Sequence, residues 1–228
     1  ADRVSLLHRN LVSAFSVADE YVWTWGERGR WWPGKSDKPG ARWEEKAPGV
    51  TEAIRLAHDP AAYAEKIAAE KGLSNLAENP SFEQRGKNEH SVPKWSFWQG
   101  RNSKGTYGVR DRIGVKDSRG AFIEKASHAC FLQKRVVRPG QRYLLAVRCR
   151  LENATPVLWI RWQNKNGIWN NTDRDESALF ARPEKDGWFS AKIVATVPDE
   201  SYKMVFMLSV EGGAGKVIFD DAVLYELE

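Results

Sequence analysis

The stretch Val157–Gln163, VLWIRWQ, divides into two interleaved sets. Successive side chains on a strand point to opposite faces. Leu158, Ile160 and Trp162 therefore read as core, and Val157, Trp159, Arg161 and Gln163 as an outward face. That second face alternates an indole with a guanidinium and an amide. Such a set can recognise a flat, hydroxyl-bearing ring, because an indole stacks on its apolar side and planar polar groups bond its hydroxyls. This is the chemistry of carbohydrate binding. Gln133 on the preceding strand candidate, Trp169 in the polar loop Asn164–Glu176, and Trp98 and Tyr107 before another irregular stretch extend the candidate set. For any single tryptophan, however, the commoner role is in a core.

These residues need a scaffold, and the texture of the chain changes along its length. Apolar residues at Val4, Leu7, Leu11, Phe15 and Ala18 recur at helical spacing. A short aromatic strand, Tyr21–Trp25, follows, and then a Gly/Pro/Lys-rich loop to Ala47. Helical patterns resume over Val50–Ala57 and Ala61–Lys71, with Pro60 suited to a first turn and Gly72 to a stop. Beyond Gly72 the pattern is one of strands: Tyr143–Arg150, Val157–Trp162, Trp188–Val197, Tyr202–Val210 and Val217–Leu227. Strands in succession without intervening helices predict a sandwich or barrel. The sequence GGAG, Gly212–Gly215, reads as a hairpin turn between the last two.

The 228 residues carry a net charge of +5. Residues 1–72 balance 11 basic against 11 acidic groups, so the excess belongs to the second part. Its basic residues are interspersed with acids, unlike the dense stripe of a nucleic-acid binder. No apolar run approaches membrane-spanning length. Cys130 and Cys149 flank Arg138–Gln141 symmetrically. In a regular hairpin they would lie opposite each other, which admits a disulfide in an exported protein; two buried free thiols are the other reading. The four histidines, His8, His58, His90 and His128, show no ligand spacing, and no phosphate-cradling or nucleophile motif is present.

Five segments occur in a telling order: NLAENPSFE (Asn75–Glu83), Trp95, VVRPGQRYLLAVRCR (Val136–Arg150), GWFSAKIVATVP (Gly187–Pro198) and GKVIFDDAVLYEL (Gly215–Leu227). Together they resemble the jelly-roll carbohydrate-binding modules of the galactose-binding-like type that accompany glycoside hydrolases. The resemblance implies a mainly β fold, a two-sheet antiparallel β-sandwich over 74–228, preceded by a helical segment over 1–73. It implies core positions for Trp95 and Trp188, and a structural calcium ion near the first and last strands. Glu83, Asp220 and Asp221 are the candidate ligands; the two aspartates are consecutive on a strand, so at most one should ligate by its side chain. A capped or salt-bridged acid is the alternative there. In the loop NNTDRDE, Asp173 and Asp175 could hold a cation or act as acid and base. They lack the register of an EF-type loop, and they sit in a turn rather than along a groove-facing strand.

The stretch YVWTWGERGRWW, residues 21–32, is similar to the closing strand of many (β/α)8-barrel glycoside hydrolases. That likeness implies Trp25, then Trp23, as the floor of a sugar subsite, with Glu27 able to bond a hydroxyl. The rival reading is a helical appendage with buried tryptophans. The expected function is a non-catalytic module that binds polysaccharide, the C-terminal part of a secreted or periplasmic glycoside hydrolase. The alternative is a structural spacer that packs on an upstream catalytic domain and binds no sugar.

Overall fold

The computed structural model describes residues 3–15, 29–31, 34–35, 38–40, 42–180 and 183–227. They fall into two compact units, Ala1–Ile67 and Ala68–Glu228. No described helix is long and apolar enough to cross a membrane.

The first unit is helical. It contains α1 (Arg3–Phe15), the single turn α2 (Trp43–Lys46), α3 (Val50–Ala57) and the start of α4 (Pro60–Lys71). Helix α3 buries Val50, Ala53, Leu56 and Ala57, the stripe its spacing predicts. Glu44 receives the backbone N–H groups of Thr51 and Gly49, and those two bonds hold its carboxyl below the usual range. Asp59 accepts from Ala62 N at 2.9 Å and so caps α4, with Pro60 as its first residue. His8 stacks on Tyr63 at 3.7 Å. The expected strand Tyr21–Trp25 lies outside the described residues.

The second unit is an antiparallel β-sandwich. Its strands are β1 (Ser96–Gln99), β2 (Thr106–Arg110), β3 (Gly120–Glu124), β4 (Ala129–Val136), β5 (Arg142–Gln163), β6 (Glu176–Leu179), β7 (Phe189–Thr196) and β8 (Lys203–Glu226). Strands β5 and β8 are long and pair with each other from Tyr143↔Glu226 to Gln163↔Lys203. Register shifts between Glu152 and Pro156 make a corner, and the pair contributes one half to each sheet. Sheet one runs β2–β3–β8–β5–β7, using Lys216–Glu226 and Arg142–Glu152. Sheet two runs β1–β4–β8–β5–β6, using Lys203–Val210 and Pro156–Gln163.

Alternate residues of both sheets meet in one core. Tyr143, Leu145, Val147 and Cys149 come from one half of β5 and Leu158, Ile160 and Trp162 from the other, with Phe131 and Phe206 between. Trp95 belongs to this core, whereas Trp188 covers the far side of sheet one beside Phe122 and Ile218.

Two local expectations change. Gly212–Gly215 is no hairpin turn: it lies inside β8, where the strand rounds the corner. Gly213 has φ of 85°, and a Cβ at Gly215 would lie 1.8 Å from Glu152 O, so close backbone approach demands glycine at both. Nor do β4 and β5 form a hairpin through Arg138–Gln141. The chain crosses between sheets there, so Cys130 faces Ser209 while Cys149 faces Phe219, and both thiols are buried and free.

Candidate functional site

The face of sheet two that points away from the core floors a cleft of about 790 Å³. Register places its residues in rows across the strands. One row is Ser96, Leu132, Met207 and Trp159; the next holds Lys134, Val205 and Arg161. Trp98, Cys130 and Ser209 form the row toward the corner. The floor is thus apolar at Leu132, Val205 and Met207, with an indole toward each side.

Each wall has a local cause. Asn164 closes a turn by accepting from Asn166 N and Ile168 N, and Gly167 supplies φ of 78°. That turn returns the chain so that Trp169 bridges to Gln163. Core-facing Trp162 donates Nε1–H to Arg174 O at 2.7 Å and pins the following loop, which presents Thr172 and Asp175 to the cleft. Asp175 takes Arg161 Nε–H at 2.8 Å, and the Arg161 guanidinium lies 4.5 Å from the centre of the Trp169 ring. On the opposite side Trp98 meets His128 edge-on at 5.2 Å. Trp98 is 48% exposed and Trp169 44%, so both indoles keep surface open for contact although Arg161 lies over one face of Trp169.

Five expected site residues, Trp159, Arg161, Gln163, Trp98 and Trp169, line this one cleft. Two do not. Gln133 has the opposite strand parity to Leu132 and Lys134; it is buried and exchanges hydrogen bonds with the backbone N and O of Glu78. Tyr107 lies on sheet one and stacks on Phe97 at 3.5 Å. The sequence reading also missed Lys134, His128 and Glu211. Strand β4 is apolar at both parities, Phe131 on one and Leu132 on the other, so alternation gives no sign of which faces the cleft. Glu211 was hidden by the assumed turn. Trp23, Trp25 and Glu27 lie outside the described residues.

The other carboxylates are placed as follows. Asp220 is fully buried; its oxygens accept from Val115 N, Ser118 Oγ and Asp221 N, and burial pushes its carboxyl above the usual range. Glu83 accepts from Arg119 N on the same loop. Asp221 diverges and lies 3.7 Å from the Arg148 guanidinium. Asn75 bonds the backbone of Ala222 and Leu224, so the first segment does run beside the last. The donors at this corner are oxygens, right in kind for calcium. Side chains alone do not complete a site, since no three or more His, Cys, Asp or Glu gather among the described residues. Asp173 accepts from Asn171 Nδ2.

No family model matches the sequence, and no curated protein does. Solved structures do match. The enzymatically active domain of bacteriophage CBA120 tailspike protein 4 is 16% identical with a TM-score of 0.52, over 67% of this chain and 21% of that one. This chain thus spans about a fifth of the tailspike chain. At this identity the likeness is one of fold. TmCBM61, solved with β-1,4-galactotriose, is 16% identical at a TM-score of 0.48, covering 67% of this chain and 99% of its own. The CBM22-2 xylan-binding domain of Paenibacillus barcinonensis Xyn10C is 13% identical at 0.46, covering 64% and 97%. The fold is a jelly-roll sandwich.

Proposed function

We propose that the sandwich is a non-catalytic carbohydrate-binding module whose site is the cleft of sheet two. One observation carries this reading: three tryptophans, Trp98, Trp159 and Trp169, stand around a single cleft with an apolar floor. Half-exposed indoles next to pinned polar groups suit a flat ring with equal claims on stacking and hydrogen bonding. The cleft balances Lys134 and Arg161 against Asp175 and Glu211, which favours an uncharged polysaccharide over an acidic one. Those two carboxylates are engaged by Arg161 and by Trp159 with His128, which supports binding rather than glycosidic cleavage.

The proposal extends to the parent molecule. The module would position a polysaccharide-degrading glycoside hydrolase, exported from the cell, on its substrate. A structural calcium ion belongs to the same proposal at the Glu83–Asp220 corner. It would show as a rise in melting temperature with calcium that Glu83→Gln abolishes, and a melt indifferent to calcium would remove it.

The test of the main reading is electrophoresis in native gels cast with neutral and acidic polysaccharides, using the wild type and Trp159→Ala. Retardation by a neutral glycan, abolished by the substitution, is expected. No retardation by any glycan would leave the structural spacer as the better account.

A further inference from the structure

Glu211 stands where β8 leaves sheet two for the corner, and its two oxygens go to different walls of the cleft. Oε1 accepts the Trp159 indole N–H at 3.2 Å. Oε2 lies 3.1 Å from His128 Nδ1. His128 in turn is edge-on to Trp98, and its backbone is anchored, since Ser103 Oγ accepts its N–H and its carbonyl accepts from Gly100 N. One carboxylate therefore couples an indole on β5 to an indole on β1, across two intervening strands. The other charged groups of the cleft are arranged separately: Arg161 is held by Asp175, and Lys134 stands two rows from Trp98.

A half-exposed indole on an open sheet loses rotational freedom when a ligand stacks on it, and that loss weakens binding unless the ring is already fixed. We propose that Glu211 and His128 are positioning residues that hold the Trp159 and Trp98 rings in place before any ligand arrives. The consequence for affinity rests on the carbohydrate-binding reading; the clamp itself is a property of the free protein.

The two contacts differ in kind. The Glu211 carboxylate accepts the Trp159 Nε1–H, and its other oxygen stands within ion-pair distance of His128 Nδ1. Alanine removes both. Glutamine keeps an acceptor for the indole but carries no charge to attract the imidazole.

The experiment follows the Trp159 indole N–H by NMR, without sugar, in wild type, Glu211→Ala and Glu211→Gln under one set of conditions. Affinity for the polysaccharide that retards the wild type is measured alongside. Expected are a slowly exchanging indole proton in the wild type, fast exchange in Glu211→Ala, and about tenfold weaker binding by that variant. Glu211→Gln, which keeps an acceptor for the indole and loses the charge, should exchange at a rate between the two. An indole proton unchanged in Glu211→Ala, or one that exchanges as fast in Glu211→Gln as in Glu211→Ala, would overturn the clamp. Glu211→Gln is nearly isosteric and keeps the test alive if the alanine variant does not fold. A wild type that binds no polysaccharide would instead overturn the carbohydrate reading, with the indole still judging the clamp.

Discussion

At the scale of the residue, strand parity separates binding from stability. Gln133 and Trp98 both belonged to one candidate set, yet Gln133 serves the backbone of Glu78 while Trp98 faces the cleft. Gln133→Ala should therefore lower unfolding free energy by about 1–3 kcal/mol, the penalty of leaving buried partners unmet. It should leave polysaccharide affinity intact. Trp98→Ala should do the reverse, with affinity reduced about tenfold and little change in urea midpoint. Titrating both variants with the retarding glycan and with urea checks the pair. The cysteines give a second prediction. Burial pushes the Cys130 thiol up to about 12 and raises Cys149 as well, and the two sit on different strand pairings. Ellman's reagent should label neither thiol in the folded protein and both in denaturant, because only thiolates react. Prompt labelling of the native chain would contradict this burial.

At the scale of the element, the corner of β5 and β8 decides the architecture, since it lets two strands serve both sheets. Gly213→Ala meets a strained φ and Gly215→Ala meets the Glu152 carbonyl, so each should lower stability by about 2 kcal/mol or more, read from chemical unfolding. Near that corner β3 and β8 are joined by Glu124, 2.9 Å from Lys216 Nζ, with Arg110 at 3.5 Å. The Lys216 hydrogen bond holds the Glu124 carboxyl below the usual range. A lowered native value means that the contribution is complete above the ordinary carboxylate pKa of about 4.3 and is lost as pH falls through the native one. Glu124→Gln should thus destabilise at neutral pH, by at most about 1 kcal/mol for so exposed a pair, and make no difference at about pH 2. Urea midpoints at the two pH values report it.

At the scale of the molecule, the chain comprises a helical unit and a sandwich with its own core. Every residue of the cleft belongs to the sandwich. Residues 72–228 produced alone should fold cooperatively and keep the full affinity for the retarding glycan. A loss of affinity in a folded fragment would mean that the helical unit supplies part of the site. The chain carries a net +5, while the cleft sets two cations, Lys134 and Arg161, against two carboxylates, Asp175 and Glu211. Binding to a neutral glycan should accordingly change little between low and moderate salt, whereas binding driven by the overall charge would weaken steeply.

Local features were legible in the order of the residues. Period-two alternation over Val157–Gln163 sorted Leu158, Ile160 and Trp162 into the core, helical spacing located α3, and Pro60 and Gly72 bounded α4. The order of segments from Asn75 to Leu227 pointed to the sandwich. The remaining features are long-range and depend on packing. Which parity of β4 faces the cleft depends on what pairs and packs on each side, because Phe131 and Leu132 are equally apolar. That β4 and β5 part at Arg138–Gln141, and that β8 bends at its glycines instead of reversing, follow from strand pairings far apart in sequence. Glu211 meets Trp159 and His128 only because pairing brings β8, β5 and the bend before β4 together, a juxtaposition no spacing of residues along the chain encodes.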